Sequence, residues 1–512
     1  MIVRRDVLKF AAGAVNLAAG AAVLAPGAAR AENAPAPPAA QTPFQSSGVL
    51  DLARALAKGP YQAQPSALPD PFSNLTYEQY VGIRRKAQAL VWSADNVGFA
   101  IEPLHRGFIF ATPMQINVVE NGLARRIGYQ ADDFEFGALK APTKVGDLGF
   151  SGFRVLQIRD GKTAEVAIFQ GASFFKAHAP GQAYGVTARG LAIKTGDPRG
   201  EEFPVFKAVW IEKPTLAENA LVIHAVLDSE SLAGAYRFTL RPGEATMIDT
   251  ELTLVPRVNV DHIGVAPMSA TCLTSPLAQR RTDDVRPTIA EAGGLQMLSG
   301  KDEWIWRPIA NRAQLQLSSF VDENPKGFGF LQRNRDFTAY QDDDLKWQDR
   351  PSLWIEPLSD FGAGGVSLVE IPTDSELNSN CIAYWRPNAG LTQGKEAAYA
   401  YRQFWCWDPP NRPKAAYIAD SRGGKTPGAK RRRFIVAFMG DALGPNTPPN
   451  LKPQLSVAPG TIASVRTFHY PDAKTYRVLF DIDPGETASE LRLALESDGK
   501  PISETWLYRW TP

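Results

Sequence analysis

Met247-Ile248-Asp249-Thr250-Glu251-Leu252-Thr253-Leu254 alternates in polarity residue by residue. An extended chain points successive side chains to opposite sides, so Ile248, Thr250, Leu252 and Leu254 share one face and Asp249, Glu251 and Thr253 the other. One apolar and one wet face is what an antiparallel sheet needs. The runs Phe108 to Ala111, Ala164 to Phe169 and Tyr236 to Leu240 read as further strands. Gly, Pro, Asn and Asp break such runs at intervals of about ten residues, the rhythm of a large β architecture. Beyond Trp92 the chain is therefore expected to be mainly β. Two helices are expected before it, over Asp51 to Lys58 and Thr76 to Trp92. The second opens with the capping box Thr76-x-x-Gln79 and carries Tyr80, Ile83, Ala87 and Leu90 at three-to-four spacing.

The chain starts Met1-Ile2-Val3-Arg4-Arg5-Asp6-Val7-Leu8-Lys9-Phe10 and continues through an Ala-rich apolar run to Ala29-Arg30-Ala31. Paired arginines, an apolar stretch and small residues at both recognition positions predict a twin-arginine signal peptide over residues 1–31, cleaved after Ala31. The competing reading, an uncleaved anchor, needs about twenty strongly apolar residues, and this run is too rich in Ala and Gly. Periplasmic localisation follows, with no membrane insertion once the signal is removed. Residues 32–48, rich in Ala and Pro at their start, are expected to be a disordered spacer.

Apolar residues make up 44% of the 512, aromatics 10% with 11 Trp, and the formal charge is +1. That composition supports a packed globule with more than one core and offers no electrostatic reason for a nucleic-acid partner. Three cysteines, Cys272, Cys381 and Cys406, lie too far apart in sequence for a metal or redox motif. Five isolated histidines show no ligand spacing. No metal and no cofactor are expected. The break Asp408-Pro409-Pro410-Asn411-Arg412-Pro413, followed by a Gly/Lys/Arg-rich stretch, divides the chain into a large domain at 49–410, a linker at 411–429 and a smaller domain at 430–512. Strand-like runs at Phe434 to Phe438, Thr475 to Ile482, Leu491 to Leu495 and Thr505 to Trp510 suit a small β-sandwich there.

Aromatic and acidic residues concentrate between Glu291 and Trp385, where Trp304, Trp306, Arg307, Asp322, Asp336, Tyr340, Asp342, Asp343, Trp347, Trp354 and Glu356 fall. Sugars suit this mixture: their C–H faces stack on aromatic rings, and their hydroxyls pair with carboxylates, amides and guanidinium groups. Two carboxyls in unlike protonation states would also allow glycosidic cleavage by general acid and base. The blander account has the aromatics in the core and the acids forming turns. Trp304 and Trp306 should share one face of a strand, beside an Arg that could bridge hydroxyls. No Gly-x-Ser-x-Gly elbow or phosphate-binding loop offers another chemistry.

Several long stretches resemble the periplasmic glucan biosynthesis proteins of the G and D type. They are Phe174-Phe175-Lys176-Ala177, Gly181 to Ala192, Gly200-Glu201-Glu202-Phe203-Pro204, Asp322 to Gly329, Gln332 to Phe337, Arg350-Pro351-Ser352-Leu353-Trp354 and Val369 to Thr373. The resemblance implies a large N-terminal mutarotase-like β-sandwich joined to a smaller C-terminal immunoglobulin-like β-sandwich, with a β-1,2-linked glucan in the cleft of the larger. It also implies, for active members, an inverting glucanase or transglycosylase with an Asp general acid and a second Asp drawing a proton through a Tyr.

This chain departs from that pattern at each position. Anchoring on Asn380 to Trp385 puts Ser379 at the acid, and anchoring on Arg350-Pro351 puts Trp347 at the relay. Glu291 is the acid left where the base is expected. Serine cannot usefully protonate an alkoxide and an indole cannot relay a proton. Any catalysis would fall to other acids, with Asp322, Asp336, Asp342 and Asp343 nearest. The expected function is to bind and shape the β-glucan backbone during osmoregulated periplasmic glucan biosynthesis, as a glycoside hydrolase or transglycosylase with altered residues or as a non-catalytic scaffold beside the membrane glucan synthase.

Overall fold

The computed structural model describes residues 41–140, 145–277, 283–427 and 431–512. The expected signal peptide and residues 32–40 of the expected spacer lie outside them. The chain is mainly β, with 49% strand and 8% helix in several sheets, as a β-sandwich protein requires. The described residues form two compact units: those within 41–180, 187–267 and 389–403 make the first, and those within 181–186, 268–388 and 404–512 the second.

In the first unit one run of strands goes Thr42–Pro43, Leu123–Arg126, Gln115–Glu120, Val205–Glu212, Leu221–Asp228, Leu232–Arg241, Thr246–Pro256. All neighbours in it are antiparallel except Gln115–Glu120 beside Val205–Glu212, which are parallel. The alternating stretch lies in Thr246–Pro256 as expected: Ile248, Thr250, Leu252 and Leu254 are buried, whereas Glu251 is exposed and Asp249 holds Arg241 and Arg402. A second run joins Phe99–Leu104, Gly152–Arg159, Lys162–Gln170, Phe174–Ala177 and Thr187–Arg189. Phe169 and Phe175 from this run each meet Phe238 from the first at 5.5 Å between ring centroids. Edge-to-face aromatic contacts thus form the core between two packed sheets. The helix Ser47–Lys58 lays Val49 and Ala53 onto Ala208, Val226, Ala233 and Val255.

Three local expectations are corrected. Of the spacer, residues 41–48 are structured: Thr42–Pro43 pairs with Leu123–Arg126 and the helix begins at Ser47. The capping box at Thr76 and Gln79 forms, but its helix is only Tyr77–Gly82. Beyond it Arg84–Arg85 pairs as a strand with Phe134–Glu135, and the Arg85 guanidinium is held by Asp133 and the Ala89 carbonyl over the Phe134 ring. Tertiary pairing of Arg85 outweighs the helical spacing of Ile83, Ala87 and Leu90. Phe108 to Ala111 is a turn closed by hydrogen bonds between Gly107 and Phe110, with Phe108 at φ 54°; left-handed backbone cannot continue a strand.

In the second unit one run goes Ser352–Pro357, Gly327–Leu331, Gly294–Leu298, Trp304–Pro308, Thr505–Trp510, Ser489–Ser497, Lys452–Ala458. Thr505–Trp510 pairs parallel with Trp304–Pro308. A second run joins Gln316–Glu323, Ala363–Glu370 and Cys381–Pro387. Four strands form a further antiparallel sheet, ordered Tyr417–Lys425, Arg432–Met439, Thr475–Pro484, Gly460–Tyr470. Tyr417–Lys425 falls inside the stretch expected to be a linker. The first of its two glycines fits a sheet: a Cβ on Gly423 would meet the Phe434 ring at 3.2 Å, so the missing side chain admits close packing.

Candidate functional site

Asp284-Val285-Arg286-Pro287 folds on itself, because the Asp284 carboxylate accepts from the Arg286 backbone N–H at 2.9 Å and from its Nε at 2.9 Å and Nη2 at 2.7 Å. The remaining reach of the guanidinium draws in two distant acids: Nη1 lies 2.7 Å from Asp342 Oδ2 and Nη2 lies 2.7 Å from Glu376 Oε2. One planar fork therefore gathers three carboxylates, a use of Arg that Lys could not reproduce. The cluster is partly open: Arg286 keeps 16% of its side-chain surface, Glu376 11% and Asp342 6%. Asp342 also accepts from the Leu345 N–H at 2.9 Å and the Trp347 Nε1–H at 2.8 Å. Burial pushes the Asp342 carboxyl up, but the hydrogen bonds from Arg286, Leu345 and Trp347 outweigh it and hold the group below the ordinary carboxylate range.

Thr271 ties in the other expected positions. Its backbone N–H donates to Glu291 Oε2 at 2.8 Å, and its hydroxyl donates to the Asn378 carbonyl at 3.0 Å. Glu291 is fully buried. Asn380 clamps Cys272, accepting from its N–H at 2.8 Å and donating to its carbonyl at 3.1 Å. Ser379 sits half-buried between these anchors. Gln332 Nε2 donates to the Ala290 carbonyl at 2.9 Å and the Trp347 carbonyl at 3.3 Å, which joins the Glu291 and Trp347 segments. Glu291, Asp342, Trp347 and Ser379 are thereby brought into one neighbourhood of the second unit.

The other sequence candidates have different surroundings. Trp304 stacks on buried Trp354 at 5.9 Å, and Trp354 Nε1 donates to Glu356 at 3.1 Å. Trp306 is buried beneath the Arg333 guanidinium at 3.7 Å, itself paired with Glu504. Arg307 does not present itself to hydroxyls: it is buried with Glu370 at 3.1 Å, because a guanidinium removed from water needs its countercharge. Asp322 accepts the Gly300 and Glu323 N–H groups, and exposed Asp336 caps the turn Phe337–Ala339 through the Thr338 N–H. Tyr340 is buried with its hydroxyl on the Asn334 carbonyl, and Asp343 is exposed. Arg286, Asp284, Glu376 and Thr271 were not singled out from sequence; the signal available was the Asp-x-Arg spacing, in which the acid can fold back on the guanidinium.

Residues 44–510 match the family described as periplasmic glucan biosynthesis protein, MdoG. The chain is 41% identical over 476 residues to the Glucans biosynthesis protein G of Vibrio cholerae serotype O1, covering 91% of this chain and 87% of that one. It is 42% identical over 481 residues to the protein of that name from Rhodopseudomonas palustris, covering 93% and 95%. The counterpart from Bradyrhizobium diazoefficiens is 40% identical over 472 residues, covering 92% and 94%.

Proposed function

Because the chain belongs to the periplasmic glucan biosynthesis protein family MdoG, we propose that it serves that biosynthesis by binding and shaping the β-1,2-linked glucose backbone without running the inverting Asp–Asp hydrolysis. Residues 1–31 would deliver it to the periplasm. The observation that carries this reading is Asp342, gripped by Arg286 and by the indole of Trp347. A general acid must hold a proton at working pH, and Asp342 is held in its ionised form. Glu291 has no solvent contact and spends an oxygen on the Thr271 backbone, so it is poorly disposed to activate water. Ser379 supplies only a hydroxyl. What the cluster does offer is a partly open array of guanidinium and carboxylate groups suited to hydroxyl pairs.

The same observation favours a scaffold acting beside the membrane glucan synthase over a glycoside hydrolase or transglycosylase. The test is incubation of the purified protein lacking residues 1–31 with linear β-1,2-glucan, following binding heat and product sizes. Saturable binding without shortened or cyclised products is expected. Turnover would overturn the non-catalytic reading, and absence of binding would sink the substrate.

A further inference from the structure

In the second unit three neighbouring strands present one continuous face outside the Arg286 cluster. Registers place Ser456 beside Arg492 and Arg492 beside Leu507 in one row, and Ala458 beside Glu490 and Glu490 beside Arg509 in the next. Over this floor runs the strand Gln316–Glu323, with Leu317 exposed and Phe320 half-buried, and the space between them is a groove of about 430 Å³. That volume is in the range of roughly 300–1,000 Å³ typical of small-ligand sites and too small for a folded partner.

Its chemistry is mixed in a particular way. Arg492 reaches Glu303 at 2.6 Å and Thr505 at 3.3 Å through Nη2 alone, and Arg509 meets Glu490 at 3.3 Å through Nη1. A guanidinium carries five N–H groups, so each arginine retains donors while its charge is balanced by a carboxylate. Balanced charge disfavours an anion, retained donors and carboxylate acceptors favour hydroxyls, and Leu317, Phe320 and Leu507 favour C–H faces. The floor is a sheet face of side chains, whereas Lys452–Ala458 and Gln316–Glu323 each end their sheets, so an extended peptide is the competing occupant that the test must separate.

We infer that this groove is a second holding site for a neutral, hydroxyl-rich chain, a segment of the same glucan. This inference rests on the glucan-binding reading and extends it. Two separated sites on one unit would grip one long polymer at once, raising its effective affinity without new chemistry.

The test titrates linear β-1,2-glucan into the protein lacking residues 1–31 and into two groove variants, Ser456→Trp, which fills the groove from an exposed position, and Arg492→Ala. Each should weaken binding roughly tenfold while the thermal unfolding midpoint is retained. Wild-type binding that both variants keep overturns the groove and leaves the glucan reading standing. No wild-type binding overturns that reading and the groove with it. Unchanged glucan affinity together with capture of an extended peptide that Ser456→Trp abolishes would assign the groove to a peptide and overturn the inference.

Discussion

Trp347 donates its indole N–H to Asp342 Oδ2 at 2.8 Å, the same oxygen that Arg286 Nη1 approaches at 2.7 Å. Where the family resemblance leads one to expect a proton-relaying Tyr, this chain places a donor that cannot release its proton near neutral pH. The indole has no proton to pass on, and its hydrogen bond, with those from Arg286 and Leu345, holds the carboxylate in its ionised form.

Reversing that tie tests the proposed non-catalytic role directly. The double variant Ser379→Asp with Trp347→Tyr supplies a carboxyl at the acid position and a phenol that can reach Asp342. Shortened β-1,2-glucan products are expected from the double variant and from neither single one, because each single variant lacks the other group. Product sizes separated by chromatography give the answer.

Arg286→Met should destabilise the protein by about 3 kcal/mol at neutral pH, since it strands carboxylates that share one cation. The sign with pH follows from Asp342, whose folded pKa is lowered. Its contribution is fully present above its unfolded pKa of about 3.9 and is lost as pH falls through the folded value. The stability gap between wild type and Arg286→Met, measured by denaturant unfolding, should therefore narrow below about pH 4.

Glu370 is buried between two cations, with Arg307 at 3.1 Å and Arg312 at 3.2 Å, and both guanidinium groups lie over the Tyr508 ring. Glu370→Gln leaves uncompensated buried charge, so a loss of about 3–5 kcal/mol is expected. Denaturant midpoints will show it. A loss below about 1 kcal/mol would mean that the ring and backbone carbonyls suffice.

His105 is packed by Phe72, Phe134 and Phe136 and bonded to the Tyr129 hydroxyl at 2.9 Å. Burial draws its pKa down to about 4. A depressed pKa means stability that is present above the unfolded value of about 6.5 and is lost as pH falls toward the folded one. The wild type should lose about 2 kcal/mol from this group between pH of about 7.5 and about 5, and His105→Gln should remove that part of the slope.

All three cysteines are buried thiols. Burial pushes Cys406 up to about 12, and a hydrogen bond with Cys272 together with burial raises Cys381 well above the ordinary thiol range. Thiolate is the reactive form, so a thiol reagent should label none of them in the native protein and all three after unfolding. Labelling in native conditions would show that the neighbourhood of the labelled cysteine opens.

Much of the fold was legible because strand and cap signals are local. Ile248, Thr250, Leu252 and Leu254 needed only the two-residue period of an extended chain, and Thr76 with Gln79 needed only the first turn of a helix. The helix beyond Gly82 misled because Arg85 is claimed by Asp133, 48 residues further on. The candidate site was only half visible. Asp342 and Trp347 stood out by type, whereas Arg286 did not.

Legible along the chain alone were the alternating strand around Ile248 to Leu254, the start of the helix capped by Thr76, and the glucan family the chain resembles, because each depends on neighbours in sequence. It took the packed strands to show that Arg286 gathers Asp284, Asp342 and Glu376, that Arg307 turns inward to Glu370, and that Ser456, Arg492 and Leu507 share a row. Those outcomes depend on burial. A guanidinium or carboxylate removed from water must find its partner wherever the packed strands place one, and no local pattern records where that will be.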